Sequence, residues 1–274
     1  MILTDKQIAD FRTDIWDYYR QHGRSFAWRV SHDPYHILVS ECMLQQTQTY
    51  RVEPKYQQFL EKFPTIHALA AASNQELFTL WQGLGYNRRA LFLRETARTI
   101  VEQHQGVVPY DAKALIQLPG IGAYSSCSVV TFAYNAPTVF IETNIRTVYI
   151  YTFFTAQAAI TDAQLYPLVA QTLDHANPRH WYYALMDYGV MLKKNIPNPS
   201  RASAHHQKQS SFHGSKRQIR GLIVKLLTNG PIQETELLTH LHTLGTYDRA
   251  ALSAILESLI DEQICKRSDD WICL

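Results

Sequence analysis

The sequence predicts an all-α protein with a small mixed module at its C-terminal end. Apolar residues recur at three- and four-residue spacing over most of the 274 residues, which is the period of a helix with one buried face. Short breaks carrying Pro or Gly divide these stretches, and alternation of the strand type is almost absent before residue 260. With 46% apolar and 18% charged residues, the chain can build a core and is no disordered tail.

The elements follow in order. Ile8, Phe11, Ile15, Trp16 and Tyr19 form the first apolar stripe. Asp33-Pro34 reads as an N-cap followed by Pro at the first helical position, opening a helix through Met43 and Gln46. Further helices fit near 50–62, 75–82, 87–104, 111–117, 123–134, 143–155, 162–174 and 178–192. The breaks between them include Phe63-Pro64, Gly83 to Gly85, Pro119 to Gly122 and Asn177-Pro178. Residues 1–192 therefore form one helical domain. Segment 193–214 has no acid and almost no large apolar residue, and reads as a linker. In residues 215–274, helices from Lys216 to Leu227, near 234–242 and from the Asp248 cap to Glu262 precede a hairpin turning at 268–270. Three helices and a hairpin are the order of a winged helix.

Several classes are excluded. Four scattered cysteines without CxxC spacing make neither a disulfide scaffold nor a cysteine-based zinc site. The three linker histidines 205, 206 and 213 lack ligands that would complete a metal site. No apolar run reaches membrane-spanning length, and the N-terminal stretch has no signal-peptide pattern. An intracellular, cytoplasmic protein that does not engage membranes is expected. The net charge of +2 is uneven: residues 1–192 carry −1, residues 193–214 carry +4 and residues 215–274 carry −1. Lys193, Lys194, Arg201 and Lys208 make that basic bridge.

Four constellations carry chemistry. In Leu118-Pro119-Gly120-Ile121-Gly122-Ala123-Tyr124 a helix ends, a tight hairpin follows and a new helix opens. Gly120 and Gly122 let the backbone approach a ligand, and the new helix offers amides suited to a phosphate. Twenty residues on, Glu142 stands where the next helix begins, in Ile141-Glu142-Thr143-Asn144. It is either a cap or a catalytic carboxylate. Glu41 lies inside an apolar helix among Ile37, Leu38 and Leu44, where an acid is costly unless paired or functional. Gln45 and Gln46 follow with amides for base edges. Trp81-Gln82-Gly83-Leu84-Gly85-Tyr86-Asn87-Arg88-Arg89 adds an aromatic on a loosened turn and two guanidiniums, suited to stacking and phosphate neutralisation.

In this order the motifs resemble the helix-hairpin-helix glycosylase superfamily, and within it the MutY-type adenine glycosylases. The resemblance runs through SECMLQQTQ (40–48), LWQGLGY (80–86), LPGIG (118–122), IETNIRTV (141–148) and WYYALMDYGVML (181–192). It implies a two-lobed helical fold acting as a monomer on double-stranded DNA with a mispaired or damaged base, the target base flipped into the cleft between lobes. It also implies a hairpin that grips phosphate, often with a monovalent cation. Glu142 and Glu41 become the catalytic pair, Gln45, Gln46, Tyr86 and Tyr124 the base pocket and wedge, and Asp187 and Asn144 supports. Gly120, Gly122, Arg88, Lys193 and Lys194 become phosphate contacts.

Three departures are visible. The family acid is Asp, and Glu142 sets its carboxylate about 1.5 Å further out, where a 1 Å displacement can cost on the order of 10²-fold in rate. The family's four cluster cysteines fall on Lys193, Ser200, Ser203 and Gln209, so no iron–sulfur cluster is expected. The C-terminal domain that senses 8-oxoguanine is replaced by the winged-helix-like module. Lyase-competent relatives place Lys where Tyr124 stands, so a monofunctional enzyme is expected. The lead substrate is adenine opposite G or 8-oxoguanine. The alternatives are thymine or uracil in G mispairs, and a catalytically silent DNA-binding protein. In the module, Arg249 and Lys266-Arg267 are candidate phosphate contacts, with protein interaction or packing as the other reading.

Overall fold

The computed structural model describes residues 1–154, 158–207 and 211–274. Fifteen helices are found among them, in the order α1 (Asp5–His22), α2 (Ala27–Val30), α3 (Pro34–Leu44), α4 (Thr49–Lys62), α5 (Ile66–Ala70), α6 (Asn74–Trp81), α7 (Arg88–Gln103) and α8 (Ala112–Leu115). They continue as α9 (Ala123–Tyr134), α10 (Thr143–Phe153), α11 (Asp162–Thr172) and α12 (Pro178–Asn195), then, after a 3-10 turn at Pro199–Ala202, α13 (Lys216–Leu227), α14 (Glu234–His242) and α15 (Arg249–Asp261). Three short strands, β1 (Ile232–Gln233), β2 (Lys266–Ser268) and β3 (Trp271–Cys273), form an antiparallel sheet in the order β1-β3-β2.

Several helices open on a side-chain cap, at Asp248 as the sequence predicts. Thr4 and Gln7 close a capping box at α1, Ser73 and Glu76 another at α6, and Asp248 accepts from the Ala251 amide at α15. Four elements go beyond the sequence reading, one of them the 3-10 turn at Pro199–Ala202 inside the segment read as a linker. Helices α2 and α5 are too short to show a period. Strand β1 follows Gly230-Pro231 with only two residues, and its pairing of Ile232 with Ile272 completes a three-stranded wing sheet.

The predicted helix through Gln46 is corrected: α3 stops at Leu44, and Gln46 takes a left-handed φ of 52°. The reason is tertiary. Carbonyls at a helix end have no intrahelical partner, and here the Arg89 guanidinium takes those of Cys42 and Met43 and that of Gln45 beyond them.

Packing groups the residues into two units that differ from the division along the chain. The first comprises Met1–Leu38, Pro109–Gln117 and Ile121–Lys208, the second Val39–Val108, Leu118–Gly120 and Gln209–Leu274. In the first, α1 and α10 pack against α12. Phe11 lies 5.3 Å from the Tyr149 ring and 5.9 Å from Trp181. Each such fully buried side chain contributes about 1.5–3 kcal/mol relative to exposure. In the second, Phe59 meets Trp81 edge-on, and the winged-helix module joins α6. Asn74 donates to the carbonyls of Gln263 and Ile264, and Gln82 to the Thr228 hydroxyl.

Candidate functional site

Glu142 caps α10. Its Oε1 accepts from the amides of Asn144 (2.7 Å) and Ile145 (3.0 Å), and its Oε2 from Asn144 Nδ2 at 3.2 Å. Burial pushes the carboxyl above its ordinary range, and the amide bonds and the Lys193 charge pull it back only in part. Lys193, at the end of α12, is half-buried, and burial lowers its ammonium while Glu142 raises it. Asn144 Oδ1 is buried with no hydrogen-bond partner among the described residues. Tyr124, in the first turn of α9, meets Phe140 edge-on at 5.5 Å, two residues before Glu142. Phe140 in turn stacks on Tyr182 at 3.9 Å.

Gly189 makes this arrangement possible. A Cβ there would lie 2.4 Å from the backbone oxygen of Asn144 and 2.9 Å from its carbonyl carbon. Only glycine lets α12 approach the first turn of α10 so closely. Sequence reading missed it, since a single Gly within a helical pattern has no local signature.

Asp187 has a structural environment. It is 2% exposed and accepts from the Arg24 amide, from Arg24 Nε and from both terminal nitrogens of Arg29 at 2.7–2.8 Å. Burial alone would raise its carboxyl, but the Arg29 and Arg24 bonds and charges hold it below the usual range.

The cluster positions do not suit iron. Ser200 donates its hydroxyl to Asn198 at 2.8 Å, and Ser203 accepts from the His205 amide at 3.1 Å. The turn is held to the chain near α11 by reciprocal backbone bonds of Ile160 with Ala202 and Ala204. With an amine and two hydroxyls in place of thiolates, the donor set does not match a cluster. Gln209, the fourth position, and Lys208 of the basic bridge lie outside the described residues. Lys194 is exposed.

The second unit holds Glu41, 7% exposed on α3. Burial raises the adjacent Cys42 thiol to about 12, against the lowering influence of Arg89 and with only a small further rise from Glu41. Arg89 is not the phosphate ligand that its sequence context suggested. Besides three carbonyls at the α3 end, its guanidinium reaches Thr47 Oγ1, Leu84 O and Gly85 O at 3.0 Å each. It ties the Gln45-Gln46 loop to the Tyr86 turn. Gln45 is half-buried and Gln46 exposed. Tyr86 is 41% exposed with a left-handed φ of 49°. Arg88 is exposed, lies over Phe92 and faces Glu262 at 3.6 Å.

At the hairpin, Gly120 has φ +72° and a Cβ would meet Phe92 Cβ at 2.5 Å, so both conformation and space demand glycine. Gly122 is the N-cap of α9 without a side-chain cap bond, and a Cβ there would meet nothing within 4 Å. Gly122 carries no side chain to cap the first turn of α9, an arrangement suited to an anion.

A glycine hairpin opening a helix, with a desolvated carboxylate at the next helix start, defines a helix-hairpin-helix protein of the base-excision type. Residues 39–168 match the family described as HhH-GPD superfamily base excision DNA repair protein. The chain is 32% identical over 270 residues to an adenine DNA glycosylase of Mycolicibacterium smegmatis, covering 91% of this chain and 92% of that one. It is 33% identical over 198 residues to the human adenine DNA glycosylase, covering 68% of this chain and 36% of the human one. The fold is shared with a thermostable thymine-DNA glycosylase (TM-score 0.63, 24% identity, 71% of this chain and 91% of that one). It is also shared with endonuclease III trapped on DNA (TM-score 0.54, 19% identity, 78% and 92%). The chain belongs to the HhH-GPD superfamily, in its MutY-type adenine DNA glycosylase branch. Among the described residues no helix is long and apolar enough to cross a membrane.

Proposed function

We propose that this MutY-like base excision glycosylase is monofunctional and removes adenine mispaired with G or 8-oxoguanine, without an iron–sulfur cluster. The observation that carries the reading is Glu142, held by two backbone amides in a desolvated setting beside the Lys193 charge. Cleavage of the glycosidic bond builds positive charge on the sugar, and a fixed carboxylate in a low-dielectric site stabilises it. In this reading the longer arm of Glu is accommodated because its position is fixed by the α10 cap. The buried Asn144 Oδ1 is an acceptor for the attacking water. Glu41, buried on α3, is the proton donor to the leaving base. Gln45, Gln46 and Tyr86 fill the vacated stack, and Gly120, Gly122 and Arg88 hold phosphate.

Tyr124 favours a second reading, thymine or uracil in G mispairs, because its ring stands two residues from the Glu142 cap through Phe140. The test is single-turnover excision from duplexes carrying A, T or U opposite G and opposite 8-oxoguanine, read after hot alkali. Adenine release, lost in Glu142→Gln, is the expected result. Release of thymine or uracil alone establishes the second reading. Lesion binding with no strand scission for any base makes the protein a silent recognition factor.

A further inference from the structure

A cavity of about 1280 Å³ opens between the Gln82–Arg88 turn and α13, the first helix of the winged-helix module. It exceeds the roughly 300–1,000 Å³ of small-molecule pockets and suits a segment of polymer. Its lining holds seven Lys and Arg side chains and no Asp or Glu, in a chain whose net charge is only +2. Arg89 is spent on carbonyls, and Arg220 on Ser258 and Glu262. Glu262 also faces Arg88 at 3.6 Å. Lys55 and Lys225 have no ion-pair partner among the described residues.

Helix α13 is shaped for close approach. Arg217, Gly221 and Lys225 stand at four-residue spacing on its groove side. Gly221 sits in the helix interior, where glycine is the poorest residue after proline. A Cβ there would meet nothing within 4 Å, so packing does not demand its absence. A bare patch between two cations is what a phosphodiester chain needs in order to lie against a helix. Arg217 Nη1 also reaches the Tyr86 hydroxyl at 3.2 Å, which places an exposed ring on the groove beside the charges. Of the module's other cationic candidates, Arg267 is paired with Glu234 and Glu257, while the exposed Arg249 and Lys266 do not line the groove.

We propose that α13, and not the third helix or the wing, is the module's DNA-contacting element, and that with the Tyr86 turn it forms a track for one phosphodiester strand with a base stacked on Tyr86. The identity of the strand as DNA rests on the glycosylase reading above. The terminal module would then add affinity on the glycosylase's own substrate.

The test uses the full chain and a short duplex carrying a tetrahydrofuran abasic-site analogue, with binding read by anisotropy across a salt series. Each lost phosphate contact lowers the slope of log K against log salt by about 0.9. Arg217→Ala with Lys225→Ala should flatten it by roughly 1.8. Gly221→Gln should weaken binding at every salt concentration with the slope unchanged, while raising the thermal midpoint, which excludes unfolding as the cause. Unchanged binding in both variants overturns the proposal. So does a larger loss from Arg249→Ala with Lys266→Ala, on the third helix and wing, than from the α13 pair. Excision by the unaltered chain is measured separately, so the glycosylase reading and the α13 track stand or fall on different readouts.

Discussion

The Arg89 guanidinium donates to the Gln45 carbonyl at 2.6 Å, so the residue beside the exposed Arg88 is a buried clamp for the loop that bears Gln45 and Gln46. Hydrogen bonds to a charged group are worth about 1.5–3 kcal/mol each. Arg89→Ala should therefore lower unfolding free energy by about 3 kcal/mol or more in urea titration. Arg89→Lys should recover only part of the loss, since one ammonium cannot span the fork that reaches both Gln45 and Gly85. Equal stability of the Ala variant and the parent would remove the clamp.

Glu142 has its carboxyl raised by burial in the folded protein. A group raised in this way contributes stability that is fully present below its unfolded value, about 4.3, and lost as pH rises through the folded value. Glu142→Gln removes that loss while its amide oxygen can still accept from the α10 amides. The variant should be inactive yet more stable than the parent at neutral pH, with the gain vanishing near pH 4. Thermal midpoints at the two pH values decide it. A variant less stable at neutral pH would show that the cap needs the charge.

Lys193 lowers the Glu142 carboxyl through its charge. Lys193→Met should lift that carboxyl further and move the acidic limb of the single-turnover pH–rate profile to higher pH. A purely phosphate-binding Lys193 would instead flatten the salt dependence and leave the limb in place.

Gly189→Ala would set a Cβ 2.4 Å from the Asn144 backbone oxygen. Overpacking of this kind costs about 1–3 kcal/mol. Because the displaced backbone carries the Glu142 cap, a 1 Å shift should also lower the excision rate on the order of 10²-fold. Stability loss with an unchanged rate would mean that the turn absorbs the strain without moving Glu142.

Asp187 is held below the usual carboxylate range despite its burial, through Arg29 and Arg24. Its contribution is present above the unfolded value of about 3.9 and lost as pH falls through the folded value. Asp187→Asn should destabilise at neutral pH and remove part of the acid-induced loss of stability seen in the parent. Unchanged acid unfolding would assign that loss to other carboxylates.

Sequence alone determined the longer helices, the caps at Asp33 and Asp248, the PGIG hairpin and the start of α10 at Glu142, because each depends on neighbours within a few residues. Tertiary structure decided which of Arg88 and Arg89 is spent inside, that Lys193 acts on Glu142, and that Arg267 is consumed by two acids while α13 lines a groove. Those outcomes depend on residues tens of positions away. Two adjacent arginines are equivalent in a local pattern, and only the carbonyls at the end of α3 distinguish them. The module's near-neutral charge likewise concealed a cationic face, since ion pairing removes its charges unevenly.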